Sequence, residues 1–323
     1  MQHKIVFLDS KSFPADIDWR RPNFPHQWKE YTSTAPEQMI DRLKDASIAI
    51  VNKARVDSDL LHACPKLEMI AIAATGTDIV DVTACKDRNV VVSNVRGYAV
   101  NTVPEHTFMM ILALRRNLLG YVEDVTGGEW SRASSFCLFS HPINDLKGSR
   151  LGIVGNGSIG NSVATIGESG FGMEVVYLDH ASVTNSQRLE MKFLPFEEFM
   201  TTSDVISIHC PLTAKTKNLI NAAVFRQMKE TAILINTARG AIVSEHDLVE
   251  AIERGKIAGA AVDVLSEEPP LPSHPYYKLF GRLNFILTPH VAWASTEAMQ
   301  TLADMTVTNI ENFMFGEPTN LVQ

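Results

Sequence analysis

The stretch "LGIVGNGSIG", residues 151–160, decides the fold of the second half of this chain. A short apolar run ends in Gly155, Gly157 and Gly160, spaced G-x-G-x-x-G, and a helical pattern, "SIGNSVATIGESG", follows. The spacing alone is weak, because glycine turns are common. Its context strengthens it, since the next strand-like run, "MEVVYLD" (173–179), ends in Asp179. In such a strand–turn–helix unit the first glycine permits the tight turn and the second lets a pyrophosphate approach the backbone. The third lets helix and strand pack closely. Ser158 and Ile159 open the helix and complete the candidate cofactor loop. Asp179 would accept hydrogen bonds from the adenosine ribose and repel a 2′-phosphate. The following "HASVTNS" (180–186) has no Arg or Lys to bind that phosphate, so NAD(H) is expected rather than NADP(H). Two plainer alternatives remain at this point: a solvated strand-end carboxylate at Asp179, and a methyltransferase, which can share the glycine turn.

Outward from this unit, strand-like runs alternate with helical patterns. "DVISIHC" (204–210), "TAILINT" (231–237), "AGAAVDV" (258–264) and "NFILT" (284–288) bring the strands to six, enough for a doubly wound Rossmann sheet. Upstream, "KIVFLD" (4–9), "SIAIVN" (47–52), "EMIAIA" (68–73) and "NVVVSNV" (89–95) predict a smaller parallel sheet covered by helices. One long buried helix is expected over 102–123, with Pro104 in its first turn, and a loop over 126–149. The helical pattern at 295–316 follows the completed second sheet and is expected to pack back on the first domain. The domains are therefore 1–99 plus 291–323, a small α/β domain, and 100–290, Rossmann and NAD-binding.

The bulk numbers exclude several classes. At 323 residues, 45% hydrophobic and 20% charged, the chain has the length and apolar content for two cores. A net charge of −8 without a basic run argues against nucleic acid. "FMMILAL" (108–114) is too short to cross a bilayer, so no membrane partner is expected. No export signal is legible at the N-terminus, and the four cysteines lack CxxC spacing. A cytoplasmic protein with reduced thiols and no metal is expected.

Three later motifs carry the chemistry. "LINTARGAIVSEHDLVEAIERGKIAGAAVDVLSEEPP" (234–270) places Arg239 after one strand and Glu268 after the next, and "TPHVAW" (288–293) ends a third strand at His290. A guanidinium at a strand's carboxyl end suits a substrate carboxylate. These blocks, with "HCPLTAKTKNLIN" (209–221), resemble the D-isomer-specific 2-hydroxyacid dehydrogenase family, and the likeness runs from about residue 47 to 295. "ATGTDIVD" (74–81), "NVRGYAVNTVPEHTF" (94–108) and the "HVAW" ending are most similar to its glycerate dehydrogenase (hydroxypyruvate reductase) branch.

The resemblance implies two α/β domains, the first flavodoxin-like and substrate-binding, with the active site in the cleft between them, and closure over the substrate. It implies NADH-dependent reduction of a small 2-keto acid to the D-2-hydroxy acid, hydroxypyruvate to D-glycerate foremost and glyoxylate also. Arg239 would anchor the substrate, Glu268 orient the histidine, and His290 serve as acid/base. Thr107, His209, Cys210, Pro211, Thr216, Thr237, Ala238 and Asp263 would line the cofactor, with Asp263 on the nicotinamide carboxamide. Asn52, Thr75 and Gly76 would meet the substrate; Trp293 either walls its pocket or packs in the core. Cys210 precedes a proline in a cofactor loop and is read as packing, not as a nucleophile.

Pro104 and the Glu168–Ser169 pair depart from the usual pattern, the second expected only to affect the surface. D-Lactate dehydrogenase is the near alternative. A dinucleotide-sensing corepressor is the distant one, disfavoured by the absence of long disordered tails. The apolar long helix and "GEWSRASSFCLF" (128–139) suggest a homodimer, although Trp130 and Phe136 could be core residues.

Overall fold

A computed structural model of the chain describes residues 3–180 and 183–322, with only the backbone described at 188 and 189. The chain divides into two compact units, Met1–Ala99 with Ala294–Gln323, and Val100–Trp293.

The first unit is built on five parallel strands: β1 (His3–Phe7), β2 (His26–Glu30), β3 (Ile48–Val51), β4 (Met69–Ile72) and β5 (Val91–Ser93). Their order, β2-β1-β3-β4-β5, is the flavodoxin-like one. β3 and β4 are buried throughout, which is why they read as unbroken apolar runs. β2, "HQWKE", is an addition to the four strands expected from sequence. It lies at the sheet edge and stays partly exposed, so it carries no apolar run to be noticed. Helix Thr296–Met314, capped by Ser295 Oγ on the Ala298 amide, packs on β4. Arg20 grips its Glu311 through two 2.8 Å bonds, and Asn309 Nδ2 donates to Asn94 O at 2.9 Å. The last helix thus belongs to the first unit.

The second unit carries seven parallel strands: β6 (Arg150–Val154), β7 (Glu174–Leu178), β8 (Phe193–Leu194), β9 (Val205–Ile208), β10 (Ile233–Asn236), β11 (Gly259–Val262) and β12 (Phe285–Leu287). The order is β12-β11-β10-β9-β6-β7-β8. Strand order therefore reverses between β6 and β9, the point where doubly wound sheets bind ligands. β8 has only two residues, too few to be legible in advance. The single helix expected over 102–123 is two, Thr102–Arg115 and Leu118–Thr126. Between them Asn117 adopts φ 49°, a left-handed conformation that asparagine tolerates better than most residues and that ends the first helix. A further turn of helix, Glu129–Arg132, interrupts the expected loop. Glu168 and Ser169 are exposed, in line with a surface role. No helix among the described residues is long and apolar enough to cross a membrane.

Candidate active site

The three glycines of the β6 turn are glycine for different reasons. Gly155 has φ +109°, and a Cβ there would lie 2.7 Å from Cys210 N and 2.8 Å from His209 O, where β9 ends. A Cβ on Gly160 would lie 2.0 Å from Gly155 O. Both are forced by packing within the protein. Gly157 is not: its backbone is ordinary extended chain (φ −77°, ψ −176°), and a Cβ would meet nothing within 4 Å. Only something from outside the chain needs that space. Gly157 also caps helix Ser158–Thr165 without a side chain, leaving the first-turn N–H groups uncapped. The cradle therefore fits a pyrophosphate.

Asp179 follows β7, its amide bonded to Leu194 O at 2.9 Å. His180 Nε2 lies 3.2 Å from Asn156 Oδ1, tying the β7 end to the glycine turn, a contact that neither residue announces in sequence. Of the cation-free stretch after Asp179, residues 181 and 182 lie outside the described residues.

Beyond β9, the His209 ring stacks no charge: Nε2 is 2.7 Å from Ser207 Oγ, and burial pushes its pKa down to about 3, so the ring is neutral. Burial pushes the Cys210 thiol up to about 11, which leaves it unreactive as a nucleophile at neutral pH. Thr216 Oγ1 donates to Pro211 O at 2.7 Å and so folds the loop that carries Pro211. Buried Thr107 spans toward the end of β10, its Oγ1 3.4 Å from that of Thr237. Asn236, overlooked in the sequence, brackets the next turn: its Oδ1 accepts from Ala238 N at 3.1 Å and its Nδ2 donates to Arg239 O at 2.9 Å.

Arg239, Glu268 and His290 follow β10, β11 and β12, and because the strands are parallel all three follow the carboxyl ends of their strands on the same side of the sheet. Arg239 Nη1 donates to Ala238 O at 2.8 Å. Glu268 Oε1 accepts from Leu265 N at 2.8 Å, and Oε2 lies 2.5 Å from His290 Nδ1. Both side chains remain accessible, at 30% and 27%. The structure thus joins Glu268 to His290, whereas Arg239 shares only their carboxyl-end side of the sheet.

His290 sits at φ +55° in a turn held by Asp263. The buried Asp263 carboxylate accepts from Thr288 Oγ1 at 2.5 Å and from Val291 N and Ala292 N at 2.9 Å each, and its carbonyl accepts from His290 N at 2.8 Å. His106 Nε2 stands 3.7 Å from Asp263 Oδ1 and 3.2 Å from Thr288 Oγ1. Burial lowers its pKa against the opposing pull of Asp263, so a neutral ring faces the carboxylate. His106 and Thr288 were not legible as site residues: one is a helix residue beside the chosen Thr107, the other a strand-end threonine. Trp293 Nε1 donates to His290 O at 3.0 Å, closing the same turn.

In the first unit Asn52 follows β3 and Thr75 and Gly76 follow β4, again at strand carboxyl ends. Asp9 accepts from the amides of Asn52 (3.0 Å), Lys53 (2.5 Å) and Ala54 (2.9 Å), which fixes that loop. Asn52 Nδ2 is buried without a hydrogen-bond partner. The Thr75 hydroxyl is used internally, on Val95 O at 2.7 Å, and its carbonyl accepts from Asn94 Nδ2 at 2.7 Å, which leaves its backbone amide for a ligand.

A turn whose middle glycine is open to nothing in the protein, placed where strand order reverses, defines the second unit as a Rossmann dinucleotide-binding domain, with an acid–imidazole pair beyond the same strand ends. Comparison with known proteins narrows this. The family model for the NAD binding domain of D-isomer specific 2-hydroxyacid dehydrogenases matches residues 108–292. A glycerate dehydrogenase of Methylorubrum extorquens is 46% identical over 100% of both chains, and a hydroxypyruvate reductase of Blautia hydrogenotrophica is 32% identical over 99% of each. Among solved structures, D-lactate dehydrogenase from Aquifex aeolicus complexed with NAD and lactic acid is similar, with TM-score 0.80, 28% identity and coverage of 97% of this chain and 96% of that one. The chain belongs to the D-isomer specific 2-hydroxyacid dehydrogenase family. It is an NAD-dependent oxidoreductase acting on small hydroxy or keto acids.

Proposed function

We propose that this chain reduces hydroxypyruvate to D-glycerate with NADH, and glyoxylate by the same route. The observation that carries the proposal is the 2.5 Å contact between Glu268 Oε2 and His290 Nδ1. It fixes the ring so that Nε2 is left for the substrate. NADH supplies the hydride when bound. As the carbonyl carbon is reduced, His290 Nε2–H delivers a proton to the oxygen, and in the reverse direction the neutral ring accepts it. Arg239 offers a planar fork to the substrate's carboxylate and carbonyl oxygens. The amides of Thr75 and Gly76 and the unpartnered Asn52 Nδ2 are donors suited to the carboxylate. Trp293, bonded to His290 O, serves as wall and support for the same turn.

Cofactor contacts are assigned to Gly155, Gly157, Ser158, Ile159, Gly160, Asp179, His209, Cys210, Pro211, Thr216, Thr237, Ala238 and Thr107, and Asp263 is assigned to the carboxamide as well as to the His290 turn. Asp179 favours NADH over NADPH. The similarity to a glycerate dehydrogenase and a hydroxypyruvate reductase supports the substrate.

The enzyme acts as a cytoplasmic homodimer in this reading. Helix Leu118–Thr126 exposes Leu118, Val122 and Val125 on one stripe, and Phe136 and Phe139 beyond it are each 89% exposed. An apolar patch of this kind fits a second copy of the chain. The four thiols are all free, as a reducing compartment requires.

The test is NADH oxidation by the purified protein with hydroxypyruvate, glyoxylate, pyruvate and phosphohydroxypyruvate, alongside His290→Ala. Turnover that is highest on hydroxypyruvate and abolished in the variant is expected. Preference for pyruvate would move the enzyme to the lactate dehydrogenases, and no turnover at all would refute the proposal.

A further inference from the structure

We infer that Glu245 and His274 form a positioning pair that sets the reach of Glu268 toward His290; the inference rests on the acid/base reading of those two residues. Glu245 opens helix Glu245–Glu253, and His274 caps the short helix Pro275–Leu279 that packs against it. Their side chains are nearly buried, at 12% and 6% exposure, so neither is a solvated surface group. Glu245 Oε1 accepts from Ser266 N at 2.8 Å, and Oε2 lies 3.1 Å from His274 Nε2. His274 Nδ1 accepts from Tyr276 N at 3.3 Å, which places the ring proton on Nε2. The positive end of the helix stabilises the Glu245 charge where it stands.

Ser266 lies in the turn that carries Glu268. One amide of that turn, Leu265 N, holds Glu268 Oε1 at 2.8 Å, and the next, Ser266 N, is held by Glu245. From behind, the Leu265–Ser266 peptide rests on Gly240, where a Cβ would be 2.0 Å from Leu265 C and 2.3 Å from Ser266 N. The peptide is therefore clamped between Gly240, which follows Arg239, and Glu245. Releasing the clamp lets the turn rotate, and the 2.5 Å Glu268–His290 contact depends on that turn. Neither Glu245 nor His274 reaches His290 itself, so the pair acts through Glu268 as positioning residues. The Ser266 amide donates to one carboxylate oxygen and His274 Nε2 stands 3.1 Å from the other. Glutamine would set its –NH₂ against one of them.

The test compares Glu245→Gln and His274→Asn, each alone and combined with Glu268→Gln. His274→Asn keeps an acceptor for Tyr276 N and removes only the contact to Glu245. If the pair acts through Glu268, Glu245→Gln lowers kcat by about tenfold and His274→Asn by about threefold, while KM for NADH stays within about twofold. In the Glu268→Gln background neither then costs more, because coupled sites are non-additive. Equal losses in both backgrounds would show a purely structural role and overturn the inference, as would an unchanged kcat or a loss confined to KM for NADH. Should Glu245→Gln fail to fold, His274→Asn decides alone. Glu268→Gln with parental activity would instead remove the acid/base reading, and that result is seen before either positioning variant is made.

Discussion

Replacing Gly157 by alanine separates the cofactor's demand on the glycine turn from the protein's own. The new Cβ would have nothing within 4 Å and the backbone there is ordinary, so the folded chain accommodates it. Two small terms then oppose each other: alanine restricts the unfolded chain, worth about 0.4–1 kcal/mol, and is a poorer helix cap than glycine by a similar amount. Stability without cofactor should stay within about 1 kcal/mol of the parent.

A methyl group where the pyrophosphate approaches costs at least one charge-assisted hydrogen bond, about 1.5–3 kcal/mol, or about 10- to 100-fold in affinity. Thermal or urea unfolding with and without NADH reads both quantities. At a concentration 100 times the parental Kd, NADH stabilises the parent by about 2.7 kcal/mol and the variant by only about 0.4–1.4 kcal/mol. Gly160→Ala is the contrast: its Cβ falls 2.0 Å from Gly155 O, and the cost, about 3 kcal/mol or more, appears without any ligand. Parental NADH affinity in Gly157→Ala, or a cofactor-free loss above about 2 kcal/mol, would refute the assignment of that space to the dinucleotide.

Asp263→Asn sets an –NH₂ against donors that now reach a carboxylate, so unfolding should show a loss of about 1–3 kcal/mol, with kcat falling about tenfold as the His290 turn loosens. His209 supplies a pH dependence. Its folded pKa of about 3 lies below the ordinary 6.5, so the unfolded chain binds the extra proton; the contribution is full above about pH 6.5 and is lost as pH falls toward 3. Relative to His209→Gln, the parent should lose stability as pH falls below 6.5, on the order of 1 kcal/mol per pH unit, in urea titrations across that range. A slope independent of the residue at 209 would deny its burial. Val122→Asp introduces a charge into the exposed apolar stripe; on the proposed homodimer, light scattering should then give half the parental mass, and equal masses would refute pairing through the stripe.

Sequence by itself determined the elements whose residues face one kind of surroundings along their whole length. β3, β4 and β9 are apolar because both faces of a parallel sheet are covered, and the glycine turn is legible because each glycine meets a separate demand. Arg239, Glu268 and His290 were visible as three strand ends in short, dense motifs. Tertiary structure alone decided what edges and long-range contacts control. β2 and the two-residue β8 sit at sheet margins with little apolar signal, and the break at Asn117 follows from one residue's left-handed backbone inside an otherwise helical pattern. The supports of the site were likewise hidden. Asn236, His106, Thr288, Glu245 and His274 act through hydrogen bonds to backbone or side chains brought close only by folding, and such partnerships leave no periodicity in the chain. Local pattern records which surface a residue faces; it does not record which distant amide its side chain will hold.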